Sequence, residues 1–125
     1  LTLPGGGHLR FIDAPFLHFA GAITTYDSRS RFLFSGDIWA AVDVERLLVI
    51  GDFEPHRPKL DLFHLDYMAS NVAARGFVRR LKGLTIRAIL PQHGPIIGPR
   101  HVGAAVDYLN HLRCGLDLIY ADLAP

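Results

Sequence analysis

The sequence predicts an α/β fold of the α+β kind, with one antiparallel-rich sheet covered by helices. Three observations carry that prediction. Residues 8–37 are a run of short apolar and β-branched segments divided by tight turns. Residues 60–81 and 102–120 carry apolar side chains near helical spacing. Between them stands a short apolar segment, Ile86 to Leu90, stopped by Pro91. Strands first, then helix, strand and helix, describe an α/β layer better than a repeat of strand–helix–strand units.

Each element has its own reason. Leu3-Pro4-Gly5-Gly6-Gly7 is a lead-in turn, because three glycines and a proline hold neither a helix nor a regular strand. It is not a phosphate loop, since no Lys-Ser/Thr follows. His8 to Asp13 reads as a strand, broken by Ala14-Pro15, and Phe16 to Phe19 as a second extended piece. Ile23-Thr24-Thr25-Tyr26 is β-branched and aromatic, hence strand. The polar turn Asp27–Ser30 leads to a strand over Arg31–Phe34, which Ser35-Gly36-Asp37 stops. Leu47 to Ile50 fits a strand or a helix end. Glu54-Pro55-His56-Arg57-Pro58 reads as a breaker. The predicted helix 60–81 is open to interruption at Ser70-Asn71 or Gly76. The predicted helix 102–120 carries Val102, Ala105, Val106, Leu109, Leu112, Leu116 and Ile119 on one stripe. Apolar residues continue past Gly115 to Leu123-Ala124-Pro125, so this end is expected to pack in a homodimer, to lead into a fused signalling or redox domain, or to fold back onto its own sheet.

Composition excludes several classes. The chain has 125 residues, half of them hydrophobic and a fifth charged, with mean hydropathy +0.21, which excludes general disorder. Thirteen Lys and Arg against twelve Asp and Glu give +1, so bulk charge does not suit nucleic acid. The basic run Arg75, Arg79, Arg80 and Lys82 reads as a solvated helix end. No apolar stretch approaches the roughly 20 residues of a membrane span. Cys114, the single cysteine, excludes a disulfide framework, suits a reducing, cytoplasmic setting, and is expected to be buried and inert. The chain opens on Leu1 and supplies few strands for the apolar surface of its helices. Residues 1–125 are therefore expected to be a piece of a longer protein, with a partner half missing.

Three segments share a logic. His18 follows Pro15-Phe16-Leu17, Asp37 lies just past Phe34-Ser35-Gly36, and His93 follows Leu90-Pro91-Gln92. Strand ends are where a rigid scaffold presents functional side chains. Two imidazoles and a carboxylate suit iron, zinc or manganese, and a carboxylate has two oxygens with which to bridge two ions. The three are far apart in the chain, so spacing alone leaves a plainer alternative open: a core histidine, a turn cap and a loop histidine. Phe19 and Trp39 flank two of these residues and suit either a small-gas pocket or the core. His64 and Asp66 fall on different faces of a helix and are not expected to share a site. His56 and His101 are expected to be solvated, and His8 and His111 belong to no motif.

Taken together and in order, Pro15-Phe16-Leu17-His18-Phe19-Ala20-Gly21-Ala22-Ile23-Thr24-Thr25-Tyr26-Asp27, Leu33-Phe34-Ser35-Gly36-Asp37 and Ile89-Leu90-Pro91-Gln92-His93-Gly94-Pro95 resemble the second half of a metallo-β-lactamase-fold domain. The likeness is to the flavodiiron proteins and their flavin-free relatives, the oxygen-binding diiron proteins. It implies the C-terminal half of an αββα sandwich. It implies His18 as terminal ligand of one iron, Asp37 as the bridge, and His93 as terminal ligand of the other. Tyr67 falls where the family often places a tyrosine near the iron pocket. The family's first ligand cluster, H-x-E-x-D, has no counterpart in residues 1–125, so a dinuclear iron site is expected only with ligands from an N-terminal portion. The implied function is O2 or NO binding, as a sensor or as part of an oxygen or nitric-oxide reductase, which leaves enzyme status open. No FMN site is expected in this chain. Zinc or manganese are the alternative metals, and a dinuclear-zinc hydrolase or a metal-free regulatory fragment the alternative functions.

Overall fold

The computed structural model describes residues 1–42 and 47–123. Strands β1 (Leu9–Asp13), β2 (Ile23–Asp27), β3 (Phe32–Gly36) and β4 (Ala88–Pro91) form one sheet in chain order. β1–β2 and β2–β3 are antiparallel, and β3–β4 is parallel. The helices are α1 (Phe53–Tyr67), α2 (Asn71–Arg80), α3 (Val102–His111) and the single turn α4 (Leu116–Ile119), with a 3-10 turn at Pro99–His101. The expected antiparallel-rich sheet with helices is therefore present.

The alternation of the strands decides which face is filled. Ile12, Tyr26, Leu33 and Ile89 are buried in one core with Leu60, Phe77 and Leu109 from the helices. The buried polar groups of this face are answered: Thr24 Oγ1 donates to Ile12 O, and Ser35 Oγ to Ile38 O. On the other face, Phe11, Ile23 and Phe34 remain 55%, 55% and 44% exposed.

Four expectations need correction. Phe16 to Phe19 is not extended but a closed turn: the Phe16 amide donates to Phe19 O and the Leu17 amide to Ala14 O, with Phe16 at φ 65°. Residues 54–58 do not break a helix, for they form the first turns of α1. Pro55 stands where a helix has no intrahelical use for an amide hydrogen, and only Pro58 removes a donor. The helix 60–81 is two helices: Met68 turns extended, and Ser70 Oγ caps α2 by accepting from the Ala73 amide. Of the two interruptions expected, the one at Ser70-Asn71 is real, whereas Gly76 lies inside α2. Residues 102–120 likewise divide, because Leu112 is extended and Gly115 sits at φ 50° before α4. A Cβ at 115 would strike the carbonyl oxygens of Met68 and Ala69, which only glycine avoids. Among Leu47–Ile50, Val49 makes a lone parallel bridge to Ile96. Cys114 is buried and unpaired, as expected.

Candidate metal centre

β2 starts, and β3 and β4 end, at the same edge of the sheet. Three turns meet there. Asp37 follows Gly36, whose φ of 61° swings the chain off β3. The turn is held by the Ile38 amide on Ser35 O and the Ala40 amide on Asp37 O. His93 follows β4, the parallel neighbour, and the two turns are tied to each other. The Gln92 amide donates to Gly36 O at 2.8 Å and the Ala41 amide to His93 O at 3.1 Å. Gly94, at φ 104°, lets this loop press on Ala41. His18 comes from the β1–β2 connection, whose ends join by the Ala14 amide on Ala22 O. The Leu17–His18 peptide is cis.

The two imidazoles converge on one carboxylate. His18 Nε2 lies 3.0 Å from Asp37 Oδ2, and His93 Nε2 lies 3.8 Å from Asp37 Oδ1. Each imidazole thus faces its own oxygen. All three are partly open to solvent, His93 most of all. The donor set, two neutral-capable imidazoles and a carboxylate without thiolate, fits a non-haem transition metal. Among the described residues, no group of three or more His, Cys, Asp or Glu is arranged to hold an ion by itself.

Aromatic rings surround His18. Phe19, Phe63 and Tyr67 stand edge-on to it at 6.1, 5.7 and 6.0 Å, and Phe63 stacks on Tyr67 at 4.9 Å. Phe19 and Tyr67 are exposed there. Trp39 is different: it is wholly buried, its indole donates to Ala105 O at 2.8 Å, and it adds nothing to the open surface of the site.

The remaining histidines divide by environment. His56, expected to be solvated, is buried, because positions 53, 56, 60 and 64 form the core-facing stripe of α1. Burial and nearby Lys59 push its pKa down, and among the described residues its Nε2 has no hydrogen-bond partner beside a cavity of about 250 Å3 lined by Ile50, Asp52 and Lys59. His101, also expected to be solvated, is only partly exposed, with Nε2 donating to Gly51 O. His64 shares no site with Asp66. It is fully buried, accepts the Trp39 amide at Nε2 (2.9 Å) and donates from Nδ1 to Leu60 O (2.8 Å). Burial pushes its pKa down to about 4, against the opposing pull of Leu60 O and the charges of Asp61 and Asp37. Sequence reasoning missed Phe63 and His64 as neighbours of the site. A signal existed for His64 alone: an imidazole on a stripe where the period asks for an apolar residue.

Residues 1–94 match the model of the family described as "ODP family beta lactamase". The chain belongs to this family. Two solved structures of the chemotaxis sensor ODP, one of a peroxy diiron species and one of the apo state from T. denticola, are similar to it at 39% identity. Their TM-scores are 0.91 and 0.90, over 98% of this chain and 53% and 51% of those chains. The flavodiiron protein from Giardia intestinalis shares the fold, with TM-score 0.73 and 21% identity over 88% of this chain and 28% of that one. The Synechocystis sp. (strain ATCC 27184 / PCC 6803 / Kazusa) protein named "Putative diflavin flavoprotein A 2" is 29% identical over 98 residues, 78% of this chain and 17% of that protein. The chain therefore spans about half the length of the ODP structures, and its fold is the metallo-β-lactamase-like fold of that family.

Proposed function

We propose that this chain supplies one part of a non-haem diiron centre that binds O2 or NO, with His18 and His93 as terminal ligands of different irons and Asp37 as the bridge. The supporting observation is that the two imidazoles approach different oxygens of a single carboxylate, at 3.0 and 3.8 Å. A reduced pair of irons would supply the electrons and the open coordination position for a small diatomic ligand. The protein's own part is positional: paired parallel strands fix Asp37 against His93, and the rings of Phe63 and Tyr67 orient His18 beside an exposed aromatic wall. Likeness to the chemotaxis sensor favours sensing over reductase turnover.

Three ligands do not complete two ions. The further ligands belong, in this reading, to an N-terminal half of the same domain, which would also cover Phe11, Ile23 and Phe34. In the same reading, residues 1–125 are the C-terminal half of an αββα sandwich. A reducing, cytoplasmic setting suits the unpaired Cys114. Among the described residues, no helix is long and apolar enough to cross a membrane.

Elemental analysis of the full-length protein tests the reading. Two irons per chain support it, two zincs favour a hydrolase, and no metal favours a regulatory fragment. Asp37→Ala should remove both irons, whereas His18→Ala and His93→Ala should each weaken one. Full metal content in Asp37→Ala would overturn the assignment.

A further inference from the structure

One turn of α1 touches both branches of the candidate centre. Phe63 and Tyr67 flank the His18 ring, and His64, between them in sequence, reaches the Asp37 turn from beneath. His64 is 0% exposed and stands on the buried stripe of α1 with Phe53, His56 and Leu60, where it is the more deeply buried of the two imidazoles. An apolar side chain would fill such a position without the desolvation an imidazole suffers. What the imidazole adds is a single acceptor: with Nδ1 committed to Leu60 O, Nε2 is left to receive the Trp39 amide.

That amide needs a partner for a local reason. Trp39 lies at φ 62°, a conformation side chains other than glycine adopt rarely, and it follows Asp37 by two residues. Its amide points out of the turn into the core. Its indole is pinned to Ala105 O and packs near Phe77. The backbone that aims the Asp37 carboxylate is thus anchored at one buried point by His64.

We infer that His64 is a positioning residue for the metal centre, setting the direction of the Asp37 carboxylate through the Trp39 amide. This rests on the diiron reading of His18, Asp37 and His93. His64 touches no ligand and no ion. Its effect is to make the bridging carboxylate available in one orientation before metal arrives.

The test uses the full-length protein with three readouts: ferrous-ion stoichiometry and affinity by titration, melting temperature of the metal-free protein, and protection of the Trp39 amide in hydrogen exchange. His64→Leu removes the acceptor at similar volume, and His64→Gln keeps an acceptor near the Nε2 position. His64→Leu should lose about 10-fold in affinity for both ions, the low end of the effect of removing a group bonded directly to a ligand, together with Trp39 amide protection. His64→Gln should recover most of both losses even where its melting temperature stays below wild type. The inference is overturned if His64→Leu binds both ions as wild type does, or if His64→Gln restores amide protection without restoring affinity. A wild-type protein that binds no iron would instead sink the diiron reading, and this role with it. If His64→Leu does not fold, the comparison of His64→Gln with wild type decides: binding within a few-fold supports the role, and loss of affinity with an intact Trp39 amide refutes it.

Discussion

The two faces of the sheet are made by the same strands and have met different fates. On one, Ile12, Tyr26, Leu33 and Ile89 are sealed beneath helices, and even Thr24 and Ser35 have their hydroxyls satisfied. On the other, Phe11, Thr25 and Phe34 run side by side across β1, β2 and β3 with both phenylalanines about half exposed. Neighbours such as Leu33 and Phe34 therefore sit in opposite surroundings, as a period of two requires. The difference teaches that the described helices cover only one face of the sheet and leave large apolar side chains open on the other, the face that the proposed N-terminal half would cover.

The sharpest way to break the comparison is Leu33→Ala. On the sealed face it should cost about 3–4 kcal/mol in denaturant unfolding, through lost burial and a residual cavity. A loss under ~1 kcal/mol would mean that this face is not the core. Acid comes next. His64 is neutral when folded, with its pKa pushed down from 6.5 to about 4, so unfolding takes up a proton at intermediate pH. The stability its neutral form contributes is present above pH 6.5 and is lost as pH falls towards 4, amounting to about 2 kcal/mol by pH 5. His64→Gln should flatten that part of the pH–stability curve, and an unchanged curve would show that the acid response comes from elsewhere. Tyr26→Phe is smaller. It removes the hydroxyl that donates to Thr85 O at 2.8 Å and should cost about 1 kcal/mol. Smallest of all is Phe34→Ser on the open face, within about 0.5 kcal/mol for residues 1–125 alone. A larger loss would show that something already covers that face, and light scattering would tell whether it is a second copy.

How far the sequence foretold this depends on how local the signal is. The strands at 9–13, 23–27 and 32–36 were legible because alternation and turn residues act within a few positions. The convergence of His18, Asp37 and His93 was legible only through resemblance, since nothing in their spacing reveals that β3 and β4 lie parallel. The break between α1 and α2 was legible as one of two candidate interruptions, through the capping residue Ser70, whereas the break at Leu112 was not, because it depends on long-range contacts. Gly115 lies against the carbonyls of residues 68 and 69, and Asp117 accepts from the amides of Asn71 and Cys114. Pro55 and Pro58 misled because a proline in the opening turns of a helix looks, in isolation, like one that ends it. Trp39 was expected as core or pocket wall, and the carbonyl of Ala105, far along the chain, fixes it in the core.

Cys114 has a practical consequence. It is 0% exposed, and burial together with the charge of Asp117 pushes its pKa up to about 12, so almost no thiolate exists at neutral pH. The native chain should therefore be silent to maleimide reagents. Phe34→Cys would then place the one reactive thiol on the open face, with no need to remove the native one. Fast labelling of residues 1–125, read by a simple mass shift, would show that face open, and slow labelling would show that something already covers it.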